Sequence, residues 1–387
     1  MTDKEDSSVK KLVLGLLLSI ILLVPVFASM ELSEEELDIE DIIEVEESDE
    51  TAEIQSLDGS AVITVTCTGD LTIGGDNYHH KGKKFYDALK KNDDDISFTM
   101  ANVRDIFRKD DLTLVNFEGT FTDSKYVPDK KKNNDFLFNI SPSYVSVLSD
   151  NSIEAVSLEN NHVLDHGEEA YEETKEVIRN AGVVYSTSEE IGIFNVKGIQ
   201  IAMLSYLCID RYDKPVGGYD NLYDKVAADI SATKQKYPIV IVSFHWGIEK
   251  YYRPTDNQIR MGRLAVDSGA DLVIGHHSHR INPIEEYKGV YICYSLGNFC
   301  FSGNDKPDDM NSFIFQTRFR IDKHGDISNT GFRIIPIRIT SIKDRNNYVP
   351  TPITDDMKIE GIINTLKDNG RKYLDYGVAD YPTEWED

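Results

Sequence analysis

The chain has 387 residues, 40 % of them hydrophobic, and carries 67 acidic against 41 basic side chains for a net charge of −26. The length suggests one large or two ordinary domains, and the apolar content can bury a core, which excludes a wholly disordered chain. The negative charge disfavours a nucleic-acid binder, and four cysteines are too few for a disulfide-dense scaffold.

Residues 1–30 are predicted to be a signal peptide or a membrane anchor. Lys10 and Lys11 precede an uncharged, apolar run of 17 residues, Leu12–Ala28, and the small residues of Val26-Phe27-Ala28 suit signal peptidase. Cleavage and anchoring both remain open. Because the positive charges lie before the run and acids follow it, we expect the rest of the chain to be extracytoplasmic, either anchored to the outer face of the cytoplasmic membrane or secreted.

Residues 31–60 form an acidic segment with 14 Asp and Glu and no Lys or Arg. Like charges at this density repel one another and keep a chain extended, so the segment is predicted to be a disordered linker that acts as a spacer. About half of the net charge lies there, which leaves −12 for residues 61–387.

A folded body is predicted to begin at Ala61, because short β-branched or apolar runs alternate with helical patterns from there onward. The predicted strands are Val62–Cys67, Leu112–Val115, Ile153–Leu158, Ile201–Tyr206, Ile239–Phe244, Leu272–Ile274 and Val290–Tyr294. The predicted helices are Glu168–Ala181, ended by Gly182, and Asp256–Ser268, ended by Gly269. This alternation is typical of a layered α/β domain.

The C-terminal part of the body reads differently. Phe313–Arg320 and Gly331–Ile339 are predicted antiparallel strands without a helix between them. Ile359, Ile362, Ile363 and Leu366 then have helical spacing, and Gly370 is expected to end that helix. The predicted domain therefore spans residues 61–345, with a C-terminal helix and tail, residues 346–387, packed on it.

Polar side chains with ligand chemistry follow five of the predicted strands. They are Asp70; Asn116 and Glu118; Asn160, Asn161, His162 and Asp165; His245 and Glu249; and His276, His277 and His279. Each motif alone is compatible with a turn or, at Asp165, with a helix cap. Because ligands bind at the carboxyl ends of strands in α/β sheets, the joint pattern favours one site.

The residue types at these positions indicate a metal class. No cysteine lies among them, which disfavours a structural zinc site. Imidazole, carboxylate and amide oxygen together suit one or two divalent ions such as Mn, Fe or Zn. A carboxylate between two such ions can bridge them and activate a shared water.

These residues resemble the calcineurin-like metallophosphatase superfamily and, more closely, the capsule synthesis protein CapA family, which is involved in poly-γ-glutamate capsules. The resemblance covers about residues 62–340, and its marks are Gly69-Asp70-Leu71, Val115-Asn116-Phe117-Glu118, Asn160-Asn161-His162-Val163-Leu164-Asp165, His245-Trp246-Gly247-Ile248-Glu249, Gly275-His276-His277-Ser278-His279 and Ser295-Leu296-Gly297-Asn298-Phe299. It implies a four-layer α/β/β/α sandwich of the metallo-dependent phosphatase type.

The resemblance also implies roles for individual residues. The expected metal ligands are Asp70, Glu118, Asn161, His245, His277 and His279, and the expected catalytic residues are His162, as general acid, and Asp165. Residues expected behind the ligands or against substrate are Asn116, Asn160, Glu249, His276 and Asn298. His276 is expected to point away from the metals, because His277 and His279 have the superfamily's His-x-His spacing.

Four positions depart from the family patterns. Thr72 stands where metallophosphatases have His, and Glu118 stands where their second motif has a bridging Asp. Gly75 and Asn282 stand where CapA-like proteins commonly have Arg and Gln. The first two departures favour a capsule-synthesis protein over an ordinary phosphatase.

Three functions are therefore open: a CapA-like component of poly-γ-glutamate synthesis or export, an extracytoplasmic metal-dependent phosphoesterase, and a non-catalytic binding module. The expected partners are an anionic polymer such as poly-γ-glutamate or a phosphorylated substrate, the membrane through the N-terminus, and other capsule-synthesis membrane proteins, with no nucleic acid. Lys130-Lys131-Lys132 is predicted to be a solvated loop, and the four cysteines are predicted to be buried free thiols.

Overall fold

The structure is a computed structural model that describes residues 61–75, 83–131, 136–211, 214–215 and 220–385. The predicted N-terminal signal or anchor and the acidic linker lie outside these residues. Within the described ranges, no helix combines the length and the apolar character needed to cross a membrane.

Seventeen strands are described. In chain order they are β1 Ala61–Thr72, β2 Leu112–Phe117, β3 Thr120–Phe121, β4 Asn139–Ile140, β5 Ala155–Ser157, β6 Val184–Ser186, β7 Gly192–Val196, β8 Ile199–Arg211, β9 Lys214–Pro215, β10 Ile239–Gly247, β11 Leu272–His276, β12 Ile284–Tyr287, β13 Val290–Cys293, β14 Asn298–Phe301, β15 Asn311–Ile321, β16 Ile327–Arg338 and β17 Thr351–Pro352. All seven of the predicted strand runs fall on strands of the structure.

The described helices are α1 Lys83–Lys91, α2 Arg104–Phe107, α3 Ser146–Ser149, α4 Glu168–Asn180, α5 Asp220–Lys234, α6 Asp256–Asp267 and α7 Asp356–Tyr373. Helix α6 begins at a capping box in which the Thr255 hydroxyl and the Gln258 side chain each accept a hydrogen bond from the other residue's backbone N–H. Helices α4 and α6 end just before Gly182 and Gly269, both in left-handed conformation, as predicted. The prediction that Gly370 ends the last helix is wrong, because α7 continues to Tyr373.

Two sheets carry the fold. The first has the strand order β17-β16-β15-β1-β2-β5-β6, with β14 paired to the end of β1. The second has the order β12-β13-β11-β10-β8-β7, with β9 paired to β8. Strands β15 and β16 are antiparallel, as predicted, whereas β1, β2, β5 and β6 run parallel.

The two sheets pack face to face, because alternate residues of each strand enter different cores. Ile63 and Val65 of β1 share the inner core with Ile239 and Ile241 of β10. Val240 instead packs beneath α5 and α6 on the outer face of the second sheet. Helices α1 and α4 cover the outer face of the first sheet. These layers confirm the predicted α/β/β/α sandwich.

Helix α7 buries Ile362 and Leu366 at the margin of the inner core, so its apolar stripe lies against the body. All four cysteines are buried and none forms a disulfide with another described residue, which agrees with the prediction. Burial alone raises the pKa of the Cys300 thiol, which makes it unreactive.

Candidate metal centre

Strand pairing aligns the polar residues of the first sheet. Asp70 lies opposite Asn116 of β2 on one side and Asn298 of β14 on the other. The register of β1 shifts between Cys67 and Asp70 and again after Asp70. Such irregularities re-aim side chains at the ends of strands, and here they turn the Asp70 carboxylate toward the second sheet.

Gly69 allows this arrangement because it has no side chain. A Cβ atom at residue 69 would lie 2.0 Å from the carbonyl oxygen of Gly297. The next backbone amide, that of Asp70, donates a hydrogen bond of 3.0 Å to the same oxygen. Gly69 is therefore a position of close backbone contact within β1, rather than a turn residue.

The second sheet supplies the histidines. His245, near the end of β10, pairs in register with His276 at the end of β11. The loop that follows holds His277 at φ +85° and His279 at φ +53°. Left-handed backbone is costly for residues other than glycine, and it concentrates at functional sites.

Three potential ligands meet where the sheets face each other. The ligand atoms of Asp70, Glu118 and His279 lie within 4.8 Å of one another, and both carboxylates are fully buried. Thr72 donates a hydrogen bond of 3.2 Å to Oε2 of Glu118, whereas Oε1 has no hydrogen-bond partner among the described residues. A buried, unpartnered carboxylate oxygen is costly without a cation, so this donor set fits a metal ion.

His245 and His277 lie next to these three residues, and Asn161 lies next to His245. Nε2 of His245 lies 2.7 Å from Oδ1 of Asn161 and 3.0 Å from Nδ1 of His277. Burial, and next the neighbouring histidine, lower the pKa of both imidazoles, to about 3 for His277. They are therefore neutral at pH 7, the form in which an imidazole nitrogen binds a metal.

The pKa values of the two buried carboxylates, Glu118 and Asp70, shift in opposite directions. Burial raises the pKa of Glu118 to about 7. Burial would raise that of Asp70 as well, but contacts with His276 and His279 outweigh it and lower the pKa. For His279, burial is outweighed by the charges of Glu118 and Asp70, which raise its pKa to about 9. The titration of His279 is therefore linked to that of the two carboxylates.

His162 lies between this centre and a second carboxylate. Its Nδ1 is 2.6 Å from Oδ2 of Asp165, and its Nε2 is 3.6 Å from Oε1 of Glu118. Lys131 donates hydrogen bonds to Oδ1 of Asp165 and to the carbonyl oxygen of Asn161. Burial lowers the pKa of His162, but the charges of Asp165 and Glu118 outweigh it, so the pKa is raised.

The residues expected behind the ligands lie in different places. Asn116 donates a 2.9 Å hydrogen bond to Asp70, and Asn160 accepts one from the His162 amide. Oδ1 of Asn298 lies 3.0 Å from Nδ1 of His279. Glu249 is exposed and lies in the cleft in front of His279.

The expectation that His276 points away from the centre is wrong. Nδ1 of His276 lies 3.2 Å from Oδ1 of Asp70, and the side chain is fully buried. The physical reason is the pleat of β11, which puts His276 on the same face as Leu272 and Ile274, toward the first sheet.

A cleft of about 360 Å³ opens in front of the centre. Its walls combine His162 and His279 with aromatic and charged side chains, Phe136, Phe138, Phe301, Glu249, Lys250, Arg280 and Asp308. Sequence reasoning did not single out Lys250 and Arg280, nor the role of Lys131. The charge of Arg280 directly after His279 was the available signal.

Asn282, one of the departures from the family pattern, makes hydrogen bonds between two loops. Its Nδ2 donates to the carbonyl oxygens of Tyr251 and Arg280, at 2.8 and 3.2 Å. The Asn282 side chain, shorter than the Gln of the family pattern, thus links the loop after β11, which holds His277 and His279, to the loop after β10.

The distances given above bring all the expected ligands together, while the role of each residue stays a prediction.

Known proteins resemble this chain over most of the body. The model of the bacterial capsule synthesis protein family PGA_cap matches residues 64–303. The PGA biosynthesis protein CapA of Bacillus subtilis is 32 % identical over 282 residues, which are 68 % of this chain and 70 % of that protein. The capsule biosynthesis protein CapA of Bacillus anthracis is 25 % identical over 62 % of this chain and 60 % of its own length.

A crystal structure of a hypothetical protein from Thermus thermophilus superposes with a TM-score of 0.44 at 14 % identity, covering 71 % of this chain and 98 % of that one. The family match includes Asp70, Glu118, His162, His245 and His279. The chain therefore belongs to the bacterial capsule synthesis protein family PGA_cap.

Proposed function

We propose that this protein is an accessory component of poly-γ-glutamate capsule synthesis or export, with a divalent-metal site that acts on the polymer or its terminus. Its family and the names of its relatives in two Bacillus species support the capsule role. A Mycobacterium tuberculosis relative, 27 % identical over 49 % of this chain, is named a probable polyglutamine synthesis accessory protein.

The proposed location is the outer side of the cytoplasmic membrane. Its support is the sequence of residues 1–60, where Lys10 and Lys11 precede an apolar run and a purely acidic segment follows. Protease added to intact cells should degrade the body, or the body should be found in the medium. A protected body inside the cell would contradict this location.

The residues that would hold a divalent ion such as Mn, Fe or Zn are Asp70, Glu118, Asn161, His245, His277 and His279. The unpartnered Oε1 of Glu118 supports this assignment, because a cation would satisfy it. Such an ion, when bound, supplies Lewis acidity toward a carbonyl or phosphoryl oxygen and lowers the pKa of a bound water.

The pair formed by His162 and Asp165 carries the catalytic part of the proposal. Asp165 fixes the Nδ1–H tautomer or the charged form of His162, so that Nε2 is directed toward Glu118 and the cleft. A protonated His162 at this position can give its Nε2 proton to a leaving group. Phe138 packs edge-on against the imidazole, with ring centroids 4.8 Å apart, and shields one side of it from water.

Lys250 and Arg280 make the cleft suitable for an anionic chain. Nζ of Lys250 lies 3.5 Å from Oδ2 of Asp308, and Nη2 of Arg280 lies 3.9 Å from the same oxygen. Asp308 is largely exposed, so an incoming carboxylate can replace it on both cations. Poly-γ-glutamate carries one free α-carboxylate on every γ-linked residue, and these groups supply the negative charge that the two cations can bind.

Complementation tests the capsule role. A poly-γ-glutamate-producing host that lacks its own CapA relative should regain secreted polymer when it expresses the full-length chain. Lys250→Gln should lower the polymer output, whereas Lys358→Gln, which removes a comparably exposed lysine of α7, should not. Absence of polymer from cells that hold full-length, membrane-associated protein would contradict the proposal.

A phosphoesterase is the second candidate, favoured by the position of His162 beside a metal-type donor set. Thr72 argues against it, because its hydroxyl contacts Glu118 where a histidine would offer a second ligand. Turnover of a phosphodiester such as bis-p-nitrophenyl phosphate, lost on His162→Ala, would favour this candidate. A protein that supports polymer output equally well with His162→Ala would instead be a binding module.

A further inference from the structure

A second cavity lies far from the metal centre, at the other end of β1. It has a volume of about 600 Å³ and is lined by Val62, by β15 and β16, and by residues between 378 and 385. Val62 precedes Asp70 by eight residues, which is about 26 Å along a strand. Its size is that of a ligand pocket, for which about 300–1,000 Å³ is usual.

Two arginines lie against the indole ring of Trp385, and a third lines the same cavity. Cζ of Arg318 lies 3.8 Å from the ring centroid, and Cζ of Arg333 lies 5.1 Å from it. Arg320, two residues after Arg318 on β15, lines the same cavity and is exposed. A stacked guanidinium gains from the aromatic face while its N–H edges stay free for another group.

The positive charges of this cluster are poorly compensated. Within the described part of the chain, no carboxylate oxygen lies within 4.0 Å of the nitrogens of Arg318 or Arg320, and the buried Nε of Arg318 has no hydrogen-bond partner. Arg333 is 3.5 Å from Glu384, whose side chain is 88 % exposed. Such an exposed pair is weak, so the cluster has no strong anionic partner of its own.

The acidic side chains that line the cavity do not fill this role. Asp380 is engaged by Lys367 at 2.8 Å, and Glu286 is exposed on β12. Burial, and next the charge of Arg333, lower the pKa of Arg318, as expected for a cation crowded by a like charge. In a body with a net charge of −12, two arginines without a carboxylate partner beside a third that is weakly paired point to an anionic ligand.

We infer that this cavity, lined by Arg318, Arg320 and Trp385, is a second binding site, separate from the metal centre, for a chain of carboxylates. Planar guanidinium groups bind carboxylates through two parallel hydrogen bonds, which suits the free α-carboxylates along a γ-linked glutamate chain. The identification of that chain as poly-γ-glutamate rests on the proposed function. A segment of the polymer held here would be kept near the protein while its terminus occupies the cleft.

Fluorescence titration with oligo-γ-glutamate tests the inference, using the full-length protein in detergent. The chain has two tryptophans, and Trp246 is fully buried, so Trp385 reports on the cavity. We expect the tryptophan emission to change saturably as the oligomer is added, and we expect no such change in the Trp385→Phe variant. Arg318→Gln should weaken binding at least about tenfold, because it removes a charge-assisted contact. Arg371→Gln, a change at an exposed arginine of α7, should leave the affinity unchanged.

Arg320→Gln serves as the second variant, because its exposed side chain is not needed for folding, and it should weaken binding in the same direction. Affinity that is unaffected by both substitutions but lost on Lys250→Gln would overturn the second site and leave the proposed function intact. No emission change at saturating oligomer would also overturn it. The protein could also fail the complementation test while Arg318→Gln abolishes oligomer binding. That result would support the second binding site and reject the capsule role.

Discussion

Nδ1 of His162 lies 2.6 Å from Oδ2 of Asp165, three residues further along the chain. The helix-cap interpretation of Asp165 is wrong, because helix α4 begins after Gly167 and receives no side-chain cap from Asp165. The buried Asp165 carboxylate instead accepts hydrogen bonds from Lys131 and from the Phe138 amide. It is held in place by groups 27 and more residues away, which is typical of a residue that orients a catalytic imidazole.

Lys131 is predicted to position the pair formed by His162 and Asp165. Lys131→Met removes the cation from Oδ1 of Asp165 and from the carbonyl oxygen of Asn161, so the carboxylate loses one of its anchors. Polymer output or turnover should fall roughly tenfold, less than for loss of His162 itself, with the metal content kept. Lys131→Arg should restore part of the function.

The adjacent Lys130 provides the control, because its side chain is exposed. Lys130→Met should behave as the unmodified protein does. Equal losses from the two methionine variants would mean that only the general positive charge of this segment matters.

Gly69 and Gly361 should respond oppositely to alanine. At Gly69 the new Cβ would meet backbone atoms of Gly297 that cannot move aside, so Gly69→Ala should cost more than about 3 kcal/mol of unfolding free energy or prevent folding. At Gly361, on the exposed side of helix α7, no atom lies within 4 Å of an added Cβ. Gly361→Ala should therefore stabilise the folded protein by about 0.5–1 kcal/mol. Thermal unfolding measures both, and a stable Gly69→Ala protein would refute the close contact.

Asp110 should make stability depend on pH. Burial, together with repulsion from Glu154 and Asp111, raises its pKa to about 8, well above the ordinary value near 3.9. Between these values the folded protein keeps a proton that the unfolded chain releases, so the contribution of Asp110 to stability falls as pH rises from about 4 to 8.

Asp110→Asn removes this titration while keeping an acceptor for the Thr113 hydroxyl, which lies 2.7 Å from the carboxylate. The variant should therefore gain more in melting temperature over the unmodified protein at pH 8 than at pH 5. Asp105→Asn, at an 83 % exposed side chain, should show no such difference. An equal shift at both pH values would indicate that Asp110 is ionised in the folded protein.

The sequence predicts the sheet edge well because apolar runs of period two end at the polar residues. Asp70, Asn116 and His245 come at the last residues of such runs, and the structure keeps them on the strands themselves. His276 could have been placed correctly by continuing the alternation of Leu272 and Ile274 by one more step. The His-x-His spacing predicts only which histidines bind metal and does not fix the direction of the His276 side chain.

Contacts between distant loops could not be predicted in the same way. Lys131 meets Asp165 because a short 3₁₀ turn over Asp129–Lys131 lies against the loop before α4. The approach of Trp385 to Arg318 depends on how the C-terminal segment crosses β15. Neither contact leaves a periodic pattern, since each is fixed by tertiary packing rather than by local propensity.

Metal content measured beside polymer output tests the central claim most directly. The full-length protein should contain about one or two equivalents of a divalent metal, and His279→Ala should lose most of it because a ligand is removed. His162→Ala should keep the metal and slow turnover by roughly 10²–10⁴-fold, since only the proton donor is lost. Normal polymer output from metal-loaded His162→Ala protein would contradict the catalytic account and leave a binding module in its place.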